Sequence, residues 1–121
     1  ASGRAQNLPP LPPPVTVPEP RGETRIAAER ANDGLFQQLD LLTAQRSRRT
    51  LTAVIDTASA IWRDRSLAER DRALAAYVLA SAFDARSDYP MCSSWLDSAL
   101  VLNPTGPGFA TLRDKCRQLS R

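Results

Sequence analysis

The sequence predicts an all-α protein of antiparallel helical hairpins, with a C-terminal capping helix and an extended proline-rich N-terminal arm. Three observations predict it. Apolar residues recur at helical spacing from about residue 23 to the C-terminus. Sharp start and stop signals punctuate that pattern, above all Asp88-Tyr89-Pro90 and Asn103-Pro104. Seven of the ten prolines fall within residues 1–21. No strand-like alternation of useful length appears. The expected division is an arm over 1–21 and a helical domain over 22–121.

In the arm, Pro9, Pro10, Pro12, Pro13, Pro14, Pro18 and Pro20 block both helix and sheet and leave polyproline II. At about 3.1 Å per residue, such an arm spans roughly 60 Å when straight. Leu8-Pro9-Pro10-Leu11-Pro12 carries the spacing that proline-reading domains dock, and a plain spacer between an anchor and a folded domain is the other reading. The arm has little side chain to bury in its own domain, so a partner is needed to order it. It is expected to strap onto or tether to neighbouring subunits, with Leu8, Leu11, Val15 and Val17 finding grooves there.

From Glu23 to Gln45, Ile26, Ala27, Leu35, Phe36, Leu39 and Leu42 outline a long amphipathic helix. Asn32-Asp33-Gly34 weakens its middle, giving either one bent helix or two short ones. Ser47-Arg48-Arg49-Thr50 reads as the turn. Leu51, Val54, Ile55, Ala58, Ile61 and Trp62 then give a clean helical face. Ser66-Leu67-Ala68-Glu69 has capping-box spacing, which predicts a helix starting at Leu67.

Residues Ala73 to Pro104 read as one helical hairpin around which the rest is organised. Its first helix carries Leu74, Tyr77, Val78, Ser81 and Ala85 on one face, with Ala76, Leu79, Ala80 and Phe83 on the adjoining one, so both sides expect neighbours. Asp88 is the expected N-cap of the second helix, and Pro90 falls in its first turn, where a missing N–H is harmless. Met91, Trp95, Leu96, Ala99 and Leu100 form its stripe, and Asn103-Pro104 ends it. After Thr105-Gly106-Pro107-Gly108, a final helix presents Phe109, Leu112, Cys116 and Leu119.

These residues resemble a tetratricopeptide repeat (TPR), a pair of antiparallel helices recurring about every 34 residues. The resemblance rests on Leu79-Ala80, Phe83, Leu96, Ala99 and Pro104, and covers about a quarter of the chain. Two positions depart from it: Cys92 stands where the family usually has alanine, and Ala76 where it usually has tryptophan. The resemblance implies a binding protein whose first helices line a concave groove. Carried onto this hairpin, the groove residues are Leu74, Tyr77, Ser81 and Asp84, with Tyr77 the best anchor or, alternatively, a core tyrosine. The lysine and asparagine pattern that related modules use to clamp a terminal carboxylate is not evident.

A net charge of +3 and a pI near 9.4 do not point to nucleic acid, because basic and acidic residues alternate, as in Glu69-Arg70-Asp71-Arg72 and Arg113-Asp114-Lys115. The one unbalanced cluster is Arg46, Arg48 and Arg49, expected to complement a helix dipole rather than to hold a phosphate or acidic protein. No run of 18 apolar residues exists, so no transmembrane helix is expected in this chain. Ala1-Ser2-Gly3 resembles the small-residue start left by a processing cleavage; an exported chain, periplasmic or peripheral to a membrane, is expected.

Cys92 near the start of one helix and Cys116 near the end of the next come to the same height in an antiparallel pair. That placement favours a disulfide over two reduced, buried thiols, and it fits an oxidising compartment.

The chain has no histidine, which removes the commonest general base and the commonest metal ligand. Its two cysteines cannot build a structural zinc site alone, and its five glycines form no phosphate loop. Asp56, Asp64, Asp84 and Asp97 read as helix surface. No cofactor, metal or catalytic residue is expected, and the chain is not expected to be an enzyme. The expected function is protein–protein interaction, as an accessory or structural subunit of a larger envelope complex. The alternatives are a freestanding adaptor with a peptide in its groove, and a regulatory fragment of a longer protein.

Overall fold

The computed structural model describes residues 22–121, with side chains from residue 32 onward. These residues form α1 (Gly22–Ala44), α2 (Arg48–Arg63), α3 (Glu69–Ala85), α4 (Tyr89–Leu102) and α5 (Phe109–Leu119), with no strand among them. The expectations for Leu8, Pro9, Pro10, Leu11, Pro12, Val15 and Val17 lie outside the described residues.

Helix α1 is continuous through Asn32-Asp33-Gly34. The two polar residues are used across the fold: Asn32 Nδ2 donates to Asp71 Oδ2 at 2.6 Å, and Arg70 Nη2 pairs with Asp33 Oδ1 at 2.6 Å. Asp71 is only 4% exposed, so its bond to Asn32 satisfies an oxygen that water scarcely reaches. Local propensity is thus outweighed by contacts between α1 and α3.

The turn after α1 comes earlier than expected. Arg46 adopts a left-handed φ of 56° and donates its N–H to the Thr43 carbonyl, and Ser47 is already the N-cap of α2. Its Oγ accepts from the Thr50 N–H at 3.5 Å, and its carbonyl accepts from Thr50 Oγ1 at 2.9 Å. The expected role of the basic cluster is corrected with it. Arg48 and Arg49 occupy the first turn of α2, at the positive end of its dipole, and of the three only Arg46 follows a helix C-terminus.

The expected capping box also fails. Asp64 Oδ1 accepts from both the backbone N–H of Ser66, at 3.0 Å, and its hydroxyl, at 2.5 Å. That short loop occupies the hydroxyl that a cap would need. Helix α3 therefore begins at Glu69 behind Ala68, which offers no side-chain cap.

At its other end α3 closes with two nested bonds, Ser87 N–H to the Asp84 carbonyl and Asp88 N–H to the Phe83 carbonyl, around Ser87 at φ 61°. This is the Schellman arrangement, with serine where glycine is usual. Asp88 then caps α4, accepting the Met91 N–H at 3.4 Å, and Asn103 ends it. The α4 stripe is as expected at Leu96 and Ala99, which are buried, and at Trp95 and Leu100, which pack half-buried against the core, but Met91 is 40% exposed and Cys92 beside it is fully buried. In α5, Phe109 and Cys116 are buried but Leu119, the last residue of the helix, is 48% exposed. Gly106 leaves room for the Phe109 ring, which a side chain at 106 would overlap.

Two apolar clusters meet on α3. Its Ala75, Val78, Leu79 and Ala82 join Phe36, Leu39, Leu51, Val54 and Ala58, while its Ala73, Ala76 and Ala80 join Cys92, Leu96, Ala99, Phe109 and Cys116. Cys92 and Cys116 are bonded, with Cα atoms 6.1 Å apart, which makes α4 and α5 antiparallel. Helices α1, α3 and α5 run in one direction. Asn32 in the middle of α1 meets Asp71 in the first turn of α3, and Asp40 and Thr43 farther along α1 share a lining with Tyr77, Ser81 and Asp84 farther along α3; Tyr77 stacks on Phe109, and Asp84 pairs with Lys115, at matching heights on α3 and α5.

Candidate functional site

The burial of Phe36 and Leu39 fixes the rotation of α1, which leaves Asp40 and Thr43 at its edge facing α3. On α3, Tyr77, Ser81 and Asp84 are spaced by four and three residues, so they fall on one face. Together with Ala44, Arg46 and Ala85 these residues line an open depression of about 270 Å³. It lies between the C-terminal halves of α1 and α3, and α5 reaches its rim through Lys115.

Each wall has a distinct chemistry. Thr43 Oγ1 gives its proton to the Leu39 carbonyl at 2.8 Å, so only its lone pairs face outward. Asp84 is 14% exposed at its side chain; Oδ2 accepts from Lys115 Nζ at 3.0 Å, while Oδ1 lies 3.8 Å from Cys116 Sγ. That sulfur is part of the disulfide and has no proton to donate. Asp40 is exposed as a residue, yet its carboxyl lies against the wall, and partial burial pushes it above the ordinary carboxylate range. The Tyr77 ring stacks on Phe109, centroids 5.0 Å apart and planes 18° from parallel, which stiffens that wall.

Three of the four residues expected in a groove are thus brought together: Tyr77, Ser81 and Asp84. Leu74 is not among them. It packs half-buried against both apolar clusters. The α1 contribution, Asp40, Thr43 and Arg46, was not foreseen, since nothing local to that stretch says which helix it will face.

Away from the depression, Trp62 and Trp95 meet edge to face at 5.4 Å, with Arg72 over the Trp62 ring at 4.8 Å and donating from Nε to the Trp62 carbonyl. This cluster joins α2, α3 and α4 and is structural. The exposed Arg46, Arg48 and Arg49 surround the α1–α2 turn. Among the described residues no three His, Cys, Asp or Glu side chains gather as a metal ion would require, and no helix is long and apolar enough to cross a membrane. Compared with known proteins, the chain matches no family model, no curated protein and no solved structure, so the chemistry of this depression is read from its own residues.

Proposed function

We propose that this chain is a protein–protein interaction module of the tetratricopeptide-like kind, serving as an accessory subunit of a larger exported assembly. The observation that carries the proposal is the parallel set α1, α3 and α5, two of whose members share one open depression. Equivalent points on these helices are linked at sequence separations of 37 and 39 between α1 and α3, and 31 between α3 and α5. Those values bracket the repeat length of about 34 that the resemblance implies. The small residues Ala76, Ala80, Cys92 and Ala99, all fully buried, let α3 and α4 approach closely as in such repeats. In this reading the first helices present the groove, the proline-rich arm straps a neighbouring subunit, and the activity of the assembly belongs to other chains. The disulfide supports an oxidising compartment.

The test is native mass measurement and cross-linking in extract of the source organism. Three proteins are compared: the full chain, a chain lacking residues 1–21, and a Ser81→Arg variant that fills the groove. A stoichiometric complex lost with either change supports the proposal. A full chain that runs as a free monomer in native extract overturns it.

A further inference from the structure

Arg46, Arg48 and Arg49 break two local rules at the α1–α2 turn. Arg48 and Arg49 lie in the first turn of α2, which carries no acid, so the positive end of the helix dipole opposes both guanidinium groups. Arg46 holds a left-handed φ of 56°, a conformation that glycine or asparagine adopts at less cost. All three residues are exposed, and none forms an ion pair among the described residues. By contrast, Arg70 pairs with Asp33, Arg117 with Asp97 and Lys115 with Asp84. Three unmatched cations thus gather where helix electrostatics and backbone conformation disfavour them, and departures of this kind are expected where a surface serves binding.

We propose that this turn docks a short acidic segment of a partner protein, whose carboxylates seat on the Arg46, Arg48 and Arg49 guanidinium groups; this rests on the interaction-module reading above. Each guanidinium presents a planar fork that meets a carboxylate through two parallel N–H donors. The positive end of α2, which opposes the arginines, attracts the same carboxylates. Charge also limits the size of the occupant. Asp40 and Asp84 line the depression that Arg46 borders, and Asp88 caps α4 at the same end of the molecule. A bilayer or a nucleic acid laid on this end would cover both signs of charge, whereas a short segment covers the turn alone. Residues 1–21 carry one acid, Glu19, against Arg4 and Arg21, so the acidic segment belongs to another protein.

The experiment is a titration of the full, isotope-labelled chain followed by amide chemical shifts. The probes are acetyl-Glu-Asp-Glu-Asp-amide, its neutral counterpart acetyl-Gln-Asn-Gln-Asn-amide, and vesicles of phosphatidylglycerol. The acidic peptide is expected to give saturable shifts at residues 45–51, and the neutral one to bind about tenfold more weakly. The double substitution Arg48→Glu with Arg49→Glu separates docking from folding, because acids suit a helix N-terminus. It is expected to raise the thermal midpoint and to abolish the acidic-peptide shifts. A lower midpoint would make the two arginines structural and overturn the proposal. So would equal binding of the two peptides, saturable shifts elsewhere only, no saturable shift, or binding of the vesicles in place of the acidic peptide. The two readings fail separately. If Ser81→Arg releases the native complex while the doubly substituted chain keeps it, the module stands and the acidic docking falls.

Discussion

The two apolar clusters on α3 are built by different means. Toward α1 and α2 the core is made of large side chains, Phe36, Leu39, Leu51 and Val54, and helped by the polar pairs Asn32–Asp71 and Asp33–Arg70. Toward α4 and α5 it is made mostly of small ones, Ala73, Ala76, Ala80, Ala99 and the two half-cystines, with Leu96 and Phe109 as the large members. Large side chains hold helices apart and fill the space between them, whereas alanines allow close approach and leave little area to bury. The disulfide supplies to the second region what its small side chains cannot. The comparison teaches that two halves of one helix can be equally buried and yet depend on different physical terms.

The largest expected effect tests what the two regions share. Leu79 is fully buried on α3, and Leu79→Ala is expected to cost about 2–5 kcal/mol in urea unfolding. Uniform loss of amide protection across both regions would fit a shared keystone; loss confined to α1 and α2 would split the molecule in two. Next is the double substitution Cys92→Ala with Cys116→Ala, which opens a loop with a sequence separation of 24 and is expected to cost about 3 kcal/mol. Hydrogen exchange should then quicken first in α5. An unchanged exchange order would mean that the packing of Phe109 already suffices.

On the other side of the comparison, Asp71→Ala should cost about 1–3 kcal/mol, because it removes the buried acceptor of half-buried Asn32 and a contact of Arg70. Its effect on exchange should fall on α1. The smallest change is a gain. Ser87→Gly relieves a left-handed serine at the end of α3 and is expected to stabilise by about 1 kcal/mol, seen as a higher thermal midpoint.

What the sequence displayed and what it concealed divide along the same physical line. Asp88, Pro90, Asn103 and Pro104 delimit α4 through bonds to residues a few positions away, so those limits were legible. Ser66 shows how a local rule goes astray when a second local partner competes: its hydroxyl donates to Asp64 instead of capping the helix. Asn32 and Asp33 look like helix breakers until their partners on α3 are in view, and nothing nearby announces partners 37 and 39 residues on. On the α3 wall of the depression, Tyr77, Ser81 and Asp84 are residues that the resemblance to a tetratricopeptide repeat implies, and Leu74, implied with them, packs elsewhere. Its α1 wall needed the helices to be laid side by side, and Met91 lies just outside the packed face of α4, a margin finer than an apolar pattern can resolve.

The bond between Cys92 and Cys116 closes a covalent circle that contains most of α4, the Pro104–Gly108 turn and the first two turns of α5. Pro104, Thr105, Pro107 and Gly108 are exposed, and an exposed turn is where peptide bonds are most often cut. A single scission there would open the circle into a line without dividing the molecule, and both pieces would stay in place. Damage at the most accessible point of this half is thereby made compatible with continued attachment.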